Sequence, residues 1–173
     1  MLFRSLDARR LCAAGLSGGA RVACQLALMN KFVTGVIACS AGFPGSEVPD
    51  RVAFPVFGTG GVTDFNHNEM RRLDAALEDR RTPHRVVIFD GGHEWLPAPL
   101  AEEALAWLDL QAMRAGTRAR DEALIAAHFA ARRAALPAGP PEENYRALKS
   151  LAADFKGLGD TAELEKHVAA LAA

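Results

Sequence analysis

The feature that most constrains this chain is an alternation of short apolar runs with stretches of helical spacing. The runs are Leu11–Leu16 (LCAAGL), Val33–Cys39 (VTGVIAC), Val52–Phe57 (VAFPVF) and His84–Phe89 (HRVVIF). The intervening segments carry apolar residues at helical periods. Residues 18–30 have Ala20, Val22, Ala23, Leu26, Ala27 and Met29, and residues 65–80 have Met70, Leu73, Ala76 and Leu77 before Pro83. Residues 97–113 have Leu100, Ala104, Leu105, Trp107, Leu108 and Met113. Gly42-Phe43-Pro44-Gly45 closes the second run, and Gly58-Thr59-Gly60-Gly61 ends the third, which Pro55 weakens because proline cannot donate to a ladder. The order β-α-β-loop-β-α-β-α predicts an α/β architecture of about four mainly parallel strands. Strands without polar alternation are expected to be covered on both faces.

After Gly116 the pattern changes. Residues 117–173 hold no strand candidate and read as helices over 119–135, 142–155 and 160–171, with a break at Leu136-Pro137-Ala138-Gly139-Pro140-Pro141. The expected organisation is an α/β part over 1–115 and a helical extension over 116–173. Within the extension, NYRALKSLAADFKGLGD is similar to one hairpin of a helical-repeat module. Composition agrees with a globular chain that has a real core: 173 residues, 50% hydrophobic and 24% charged, with a formal net charge of -1. That balance supplies no electrostatic reason for a nucleic-acid or anionic-membrane partner. No run reaches transmembrane length, and Met1-Leu2-Phe3 is not followed by a signal-peptide core, because Arg4, Asp7, Arg9 and Arg10 interrupt it. Cys12, Cys24 and Cys39 are too widely spaced for a CxxC metal site, and their odd number argues against a complete disulfide framework. They are expected to be buried, reduced thiols.

The first run leads into Gly15-Leu16-Ser17-Gly18-Gly19 and straight on into a helix. Strand, Gly-x-Ser-x-Gly, helix is the context of a nucleophile elbow. Gly15 and Gly19 are expected to relieve crowding around the turn. The Gly18 N–H, next after the serine, is then placed to donate to a developing oxyanion. The pattern alone arises by chance in about one chain in twenty of this length, so its context carries the weight. The same residues also suit a plain β-to-α turn with Ser17 as N-cap. A phosphate loop fits less well, since GxGxxG is absent and no Lys-Ser/Thr pair follows.

A serine needs a histidine to take its proton and a carboxylate to orient that histidine. In a parallel sheet these belong on loops after the carboxyl ends of strands. GTGGVTDFN carries Asp64 after the third run, and DGGHEW carries His93 after the fourth, in the chain order Ser, Asp, His. Each also has a plainer reading. Asp64 suits the cap of helix 65–80, and His93 suits an ordinary loop histidine. Asp90, Glu47 and Asp50 are rival acids. Of the other histidines, His67 opens a helix, His84 starts a strand, and His128 and His167 lie in the helical tail.

With these residues, the chain resembles the α/β-hydrolase superfamily, nearest in flavour to its esterase and polyhydroxybutyrate-depolymerase-like branch. GLSGGA is similar to that branch's elbow, GTGGVTDFN to the acid loop and FDGGHEWLP to the histidine loop, the likeness covering about residues 9–113. The resemblance implies Ser17 as nucleophile, His93 as general base and then acid, Asp64 as orienting carboxylate and Gly18 N–H as one oxyanion donor. It implies an acyl-enzyme that water hydrolyses, a small-molecule or polymeric ester as substrate, and no metal or cofactor. In that superfamily several strands precede the elbow, whereas sixteen residues precede Ser17 here. The chain is therefore expected to be the C-terminal half of a longer fold, with its elbow strand at a sheet edge open to self-association. One oxyanion donor would be absent, lowering the rate by ~10²–10³. The alternative is a non-catalytic fragment or scaffold whose tail binds a protein partner, with Tyr145, Phe155 and Leu158 either lining a groove or packing as core.

Overall fold

A computed structural model of the chain describes residues 10–137, 139 and 141–172, apart from the side chains of 141–143. Met1-Leu2-Phe3 and the break residues Ala138 and Pro140 lie outside the described residues. In chain order the elements are β1 (Leu11–Leu16), α1 (Gly18–Met29), β2 (Val33–Cys39), β3 (Val56–Gly61), α2 (His67–Asp79), β4 (His84–Phe89), α3 (Ala98–Arg114), α4 (Glu122–Ala134), α5 (Pro141–Phe155) and α6 (Ala162–Leu171). The chain forms two compact units, one through Leu108 and one from Asp109 onward.

The first unit is an α/β layer structure. Its four strands lie in the order β1-β2-β3-β4, and every neighbouring pair is parallel. A parallel sheet with helical crossovers brings the carboxyl ends of all its strands to one edge. The residues that follow Leu16, Cys39, Gly61 and Phe89 therefore open on the same edge.

Alternation along each strand divides the core in two. Val36 and Ala38 of β2, Val56 of β3, and Val86 and Ile88 of β4 pack with Ala20, Ala23, Cys24 and Ala27 of α1 and Met70, Leu73 and Leu77 of α2. Ile37, Cys39, Phe57, Val87 and Phe89 face the opposite way, against Leu100, Ala104, Trp107 and Leu108 of α3. Phe57 and Trp107 meet edge to face at 5.7 Å between centroids.

The third strand departs from its sequence expectation. It runs over Val56–Gly61, not over 52–57, so the glycines expected to end it lie inside it. Pro55 has no N–H for the ladder; its carbonyl accepts from Val36 N at 3.0 Å, and paired register begins at Val56. Pairing with β4 then extends the strand from Val56↔His84 to Gly61↔Phe89. Gly58 and Gly60 lie under Met70, where a Cβ would come within 3.0 Å of that side chain. Val52 and Phe54 still join the core, as loop residues.

The thiols also divide. Cys24 and Cys39 are buried, whereas Cys12 is exposed because β1 is an edge strand. Burial pushes the Cys24 thiol up to about 12, only partly offset by Arg21. Burial likewise raises Cys39, against contacts from Thr59 and the Leu96 backbone. Both stay protonated and unreactive at neutral pH.

The second unit is helical. Leu110 and Met113 of α3, Ile125 of α4, Leu151 and Phe155 of α5, and Leu158 form its buried core. Phe155 and Leu158 thus pack inside and do not line a groove. Asp121 caps α4, accepting from Leu124 N at 3.0 Å. Arginines satisfy carbonyls at the end of α5 and just beyond it: Arg114 donates to those of Ala153 and Asp154 in the last turn, and Arg120 to those of Gly157 and Leu158 in the turn that follows. No helix of the described residues is long and apolar enough to cross a membrane.

Candidate active site

Ser17 stands between the end of β1 and the first residue of α1 with φ 55° and ψ -119°. A non-glycine residue there is strained by about 1–3 kcal/mol and persists only when its surroundings impose it. Its N–H donates to Cys39 O at 2.8 Å, and its carbonyl accepts the first helical donors, Ala20 N at 3.0 Å and Arg21 N at 3.2 Å. The N–H groups of Gly18 and Gly19 precede those donors and have no place in the helical ladder. Ser17 is therefore held as a backbone turn, not as a side-chain cap, since its side chain makes no capping hydrogen bond.

The two flanking glycines differ in importance. A Cβ on Gly15 would lie 2.1 Å from the carbonyl oxygen of Gly19, so the close passage of strand end and helix start requires glycine. A Cβ on Gly19 would meet nothing within 4 Å. The expectation that Gly19 relieves crowding is not met, because the close approach is made by the backbone of Gly19 and not along its own Cβ direction.

Asp64 lies in the turn between β3 and α2, and its carboxylate is fully buried. Asp64 Oδ1 accepts from Asn66 N at 2.7 Å and from His93 Nδ1 at 2.9 Å. The N-cap of α2 is Asn66, so Asp64 shapes the turn before the helix without capping it. Burial pushes the Asp64 carboxyl up, but the Ser40 hydroxyl, the Asn66 N–H and His93 outweigh it and hold the group below its ordinary range. Ionised at neutral pH, the carboxylate can only accept, so His93 Nδ1 is the donor of this bond.

His93 is delivered by the loop after β4. Val62 N donates to Phe89 O at 3.0 Å, and Gly91 O accepts from both Thr63 N at 3.1 Å and Thr63 Oγ1 at 2.9 Å. These bonds tie the acid loop to the histidine loop. Gly61 allows the approach, since a Cβ there would lie 2.3 Å from Gly91 O. The Phe65 ring, itself 76% exposed, stacks on the imidazole with centroids 4.1 Å apart. Consecutive residues thus hold one histidine, Asp64 at its edge and Phe65 on its face.

A second set of contacts fixes the loop after β2. Arg21 of α1 pairs with Glu69 of α2 at 2.8 Å and donates to Phe43 O at 2.8 Å, while Glu69 Oε1 accepts from Gly42 N at 3.2 Å. Asn66 Nδ2 donates to Ser40 O at 2.7 Å.

The structure thus brings Asp64 and His93 into direct contact and sets Ser17 and the Gly18 N–H at the same sheet edge. No hydrogen bond joins Ser17 Oγ to His93 among the described residues. The rival acids Asp90, Glu47 and Asp50 are exposed. His67 turns its Nδ1 to Gly61 O at 3.2 Å, and His84 pairs with Asp74 at the opposite end of the sheet. No group of three or more His, Cys, Asp or Glu side chains is placed to hold a metal ion among the described residues. Sequence reasoning passed over Phe65, Asn66, Arg21, Glu69 and Ser40. Ser40 alone carried a signal, being a serine at a strand end like Ser17.

No protein-family model matches the chain, and no curated protein sequence does. Among solved structures it is similar to a ferulic acid esterase, with 19% identity and a TM-score of 0.43 over 57% of this chain and 48% of that one. It is also similar to the apoenzyme of S-formylglutathione hydrolase (FrmB) from Staphylococcus aureus, with 17% identity and a TM-score of 0.45 over 55% of this chain and 49% of that one. The matched part spans about half the length of each of those chains.

Proposed function

We propose that this chain carries the nucleophile, base and acid of a serine hydrolase of the α/β-hydrolase type, acting on carboxylic esters. The observation that carries the reading is the Asp64–His93 contact: a fully buried carboxylate 2.9 Å from Nδ1 of a histidine 29 positions away, on the next strand's loop. A loop histidine without a role has no need of a buried, ionised partner, whose desolvation must be offset. The strained φ of Ser17 at the same sheet edge supports it independently.

In this reading His93 Nε2 takes the proton of Ser17 Oγ as that oxygen attacks the ester carbonyl carbon. Asp64 holds Nδ1–H and stabilises the imidazolium that forms. The Gly18 N–H donates to the oxyanion. Collapse of the tetrahedral species breaks the ester C–O bond, and His93 returns the proton to the departing alcohol. Water then attacks the acyl-enzyme with His93 as base, releasing the acid and restoring Ser17. Such hydrogen bonds often tighten only when substrate is bound, which accommodates the absence of a Ser17–His93 bond in the free chain.

The test is covalent labelling by a fluorophosphonate, mapped by mass spectrometry. The label is expected on Ser17, absent in Ser17→Ala, and slower by about 10³–10⁴ in Asp64→Asn, which leaves His93 with the wrong tautomer. Folded protein that takes no label at Ser17 would overturn the reading.

A further inference from the structure

Ser40, to which this reading gives no part, is held as tightly as the nucleophile. It is the first residue after β2, is 0% exposed, and has φ 58°, in the left-handed region that serine rarely enters. Its backbone is fully used: the N–H donates to Thr59 O at 2.7 Å, and the carbonyl accepts from Asn66 Nδ2 at 2.7 Å. Asn66 is also the residue whose N–H binds Asp64 Oδ1.

Two buried polar atoms here are without partners. Ser40 Oγ has no hydrogen-bond partner, and neither has Asp64 Oδ2. A closed-off carboxylate oxygen without a donor is costly, and a hydroxyl without an acceptor is wasted. After burial, which pushes Asp64 up, the Ser40 hydroxyl is the leading influence that brings it down. Asn66 bridges the two residues, its N–H on Asp64 Oδ1 and its Nδ2 on Ser40 O, so the unpartnered hydroxyl and the unpartnered carboxylate oxygen belong to one hydrogen-bonded turn. Thr59 Oγ1, a further buried hydroxyl without a partner, lies against the Cys39 thiol instead.

We propose that Ser40 is a positioning residue for Asp64: its hydroxyl donates to Oδ2, leaving Oδ1 to hold the Asn66 N–H and the His93 imidazole. The assignment rests on the reading of Asp64 as the orienting acid. It gives a reason for a serine where glycine or asparagine would carry the left-handed backbone at lower cost. His93 is the titratable group in contact with Asp64. Of the others near the turn, His67 is directed to Gly61 O, Glu69 is paired with Arg21, and Cys39 stays a neutral thiol.

The test follows the Asp64 carboxyl directly by ¹³C NMR in aspartate-labelled protein, its signal identified with Asp64→Asn. Ser40→Ala and Ser40→Gly both remove the hydroxyl, and the glycine variant also relieves the backbone. In both, the Asp64 titration midpoint is expected to rise by about one pH unit. A role in packing alone would change stability and leave the midpoint where it was. An unmoved midpoint in folded Ser40→Gly protein would overturn the assignment. Fluorophosphonate labelling of the unmodified chain is read alongside. Labelled Ser17 with an unmoved midpoint sinks the Ser40 assignment alone, whereas unlabelled Ser17 with a shifted midpoint sinks the hydrolase reading and leaves the Ser40–Asp64 contact standing.

Discussion

Ser17 holds a conformation that costs energy, and its backbone bonds to Cys39 O, Ala20 N and Arg21 N are what sustain it. Glycine adopts φ 55° without the Cβ conflict, so Ser17→Gly is expected to stabilise the first unit by about 1 kcal/mol relative to Ser17→Ala, while both abolish labelling. Urea unfolding of the two variants checks this, and equal stabilities would mean that the turn stores no strain. The histidine loop depends on a different residue-level fact. With Gly61 backed against Gly91 O and Gly92 O, Gly61→Ala must push the acid and histidine loops apart.

Between elements, α2 and β4 are joined by a titrating contact far from the candidate site. His84 at the start of β4 has Nδ1 2.7 Å from Thr82 O and Nε2 3.4 Å from Asp74 of α2. Burial pushes its pKa down, but Asp74, the Thr82 carbonyl and Glu78 outweigh it, so the group ends above the ordinary histidine range. A raised folded pKa means that the folded state binds the proton more tightly than the unfolded chain does. The contribution is therefore fully present below the unfolded value and lost as pH rises through the folded one. Stability from urea unfolding is expected to fall between about pH 6 and pH 8 in the native chain, and to fall less in His84→Gln. Equal slopes in the two proteins would remove His84 from the account.

At the scale of the whole molecule, the first unit carries more apolar surface than its own core uses. α1 exposes Val22, Leu26 and Met29 at i, i+4 and i+7, with Met29 72% exposed and Phe32, just beyond the helix, 68% exposed. The single charge of α1, Arg21, is engaged by Glu69 and Phe43 O and adds little charge to that face. β1, on which α1 packs, is an edge strand. Uncovered apolar faces and open strand edges favour association. Sedimentation velocity is expected to show concentration-dependent association that Val22→Lys with Leu26→Glu reduces. Association unchanged by that pair would locate it on another surface.

The sequence alone accounts for the layering: short apolar runs, stretches of period 3.6 and glycine turns are local properties, and they place Ser17, Asp64 and His93 each just beyond the end of a strand. It also set the chain order in which those residues follow one another. Tertiary packing set where β3 begins and ends, since that depends on which partner strands accept its hydrogen bonds beyond Pro55. It decided that Gly15 and not Gly19 carries the close approach, that Cys12 is exposed, and that Phe65 lies on the His93 ring. It decided, too, that one oxygen of Asp64 serves both turn and histidine while the other is buried without a hydrogen-bond partner. Each of these turns on contacts between residues far apart in the chain, where burial and the supply of donors are set by the packed whole and not by any one segment.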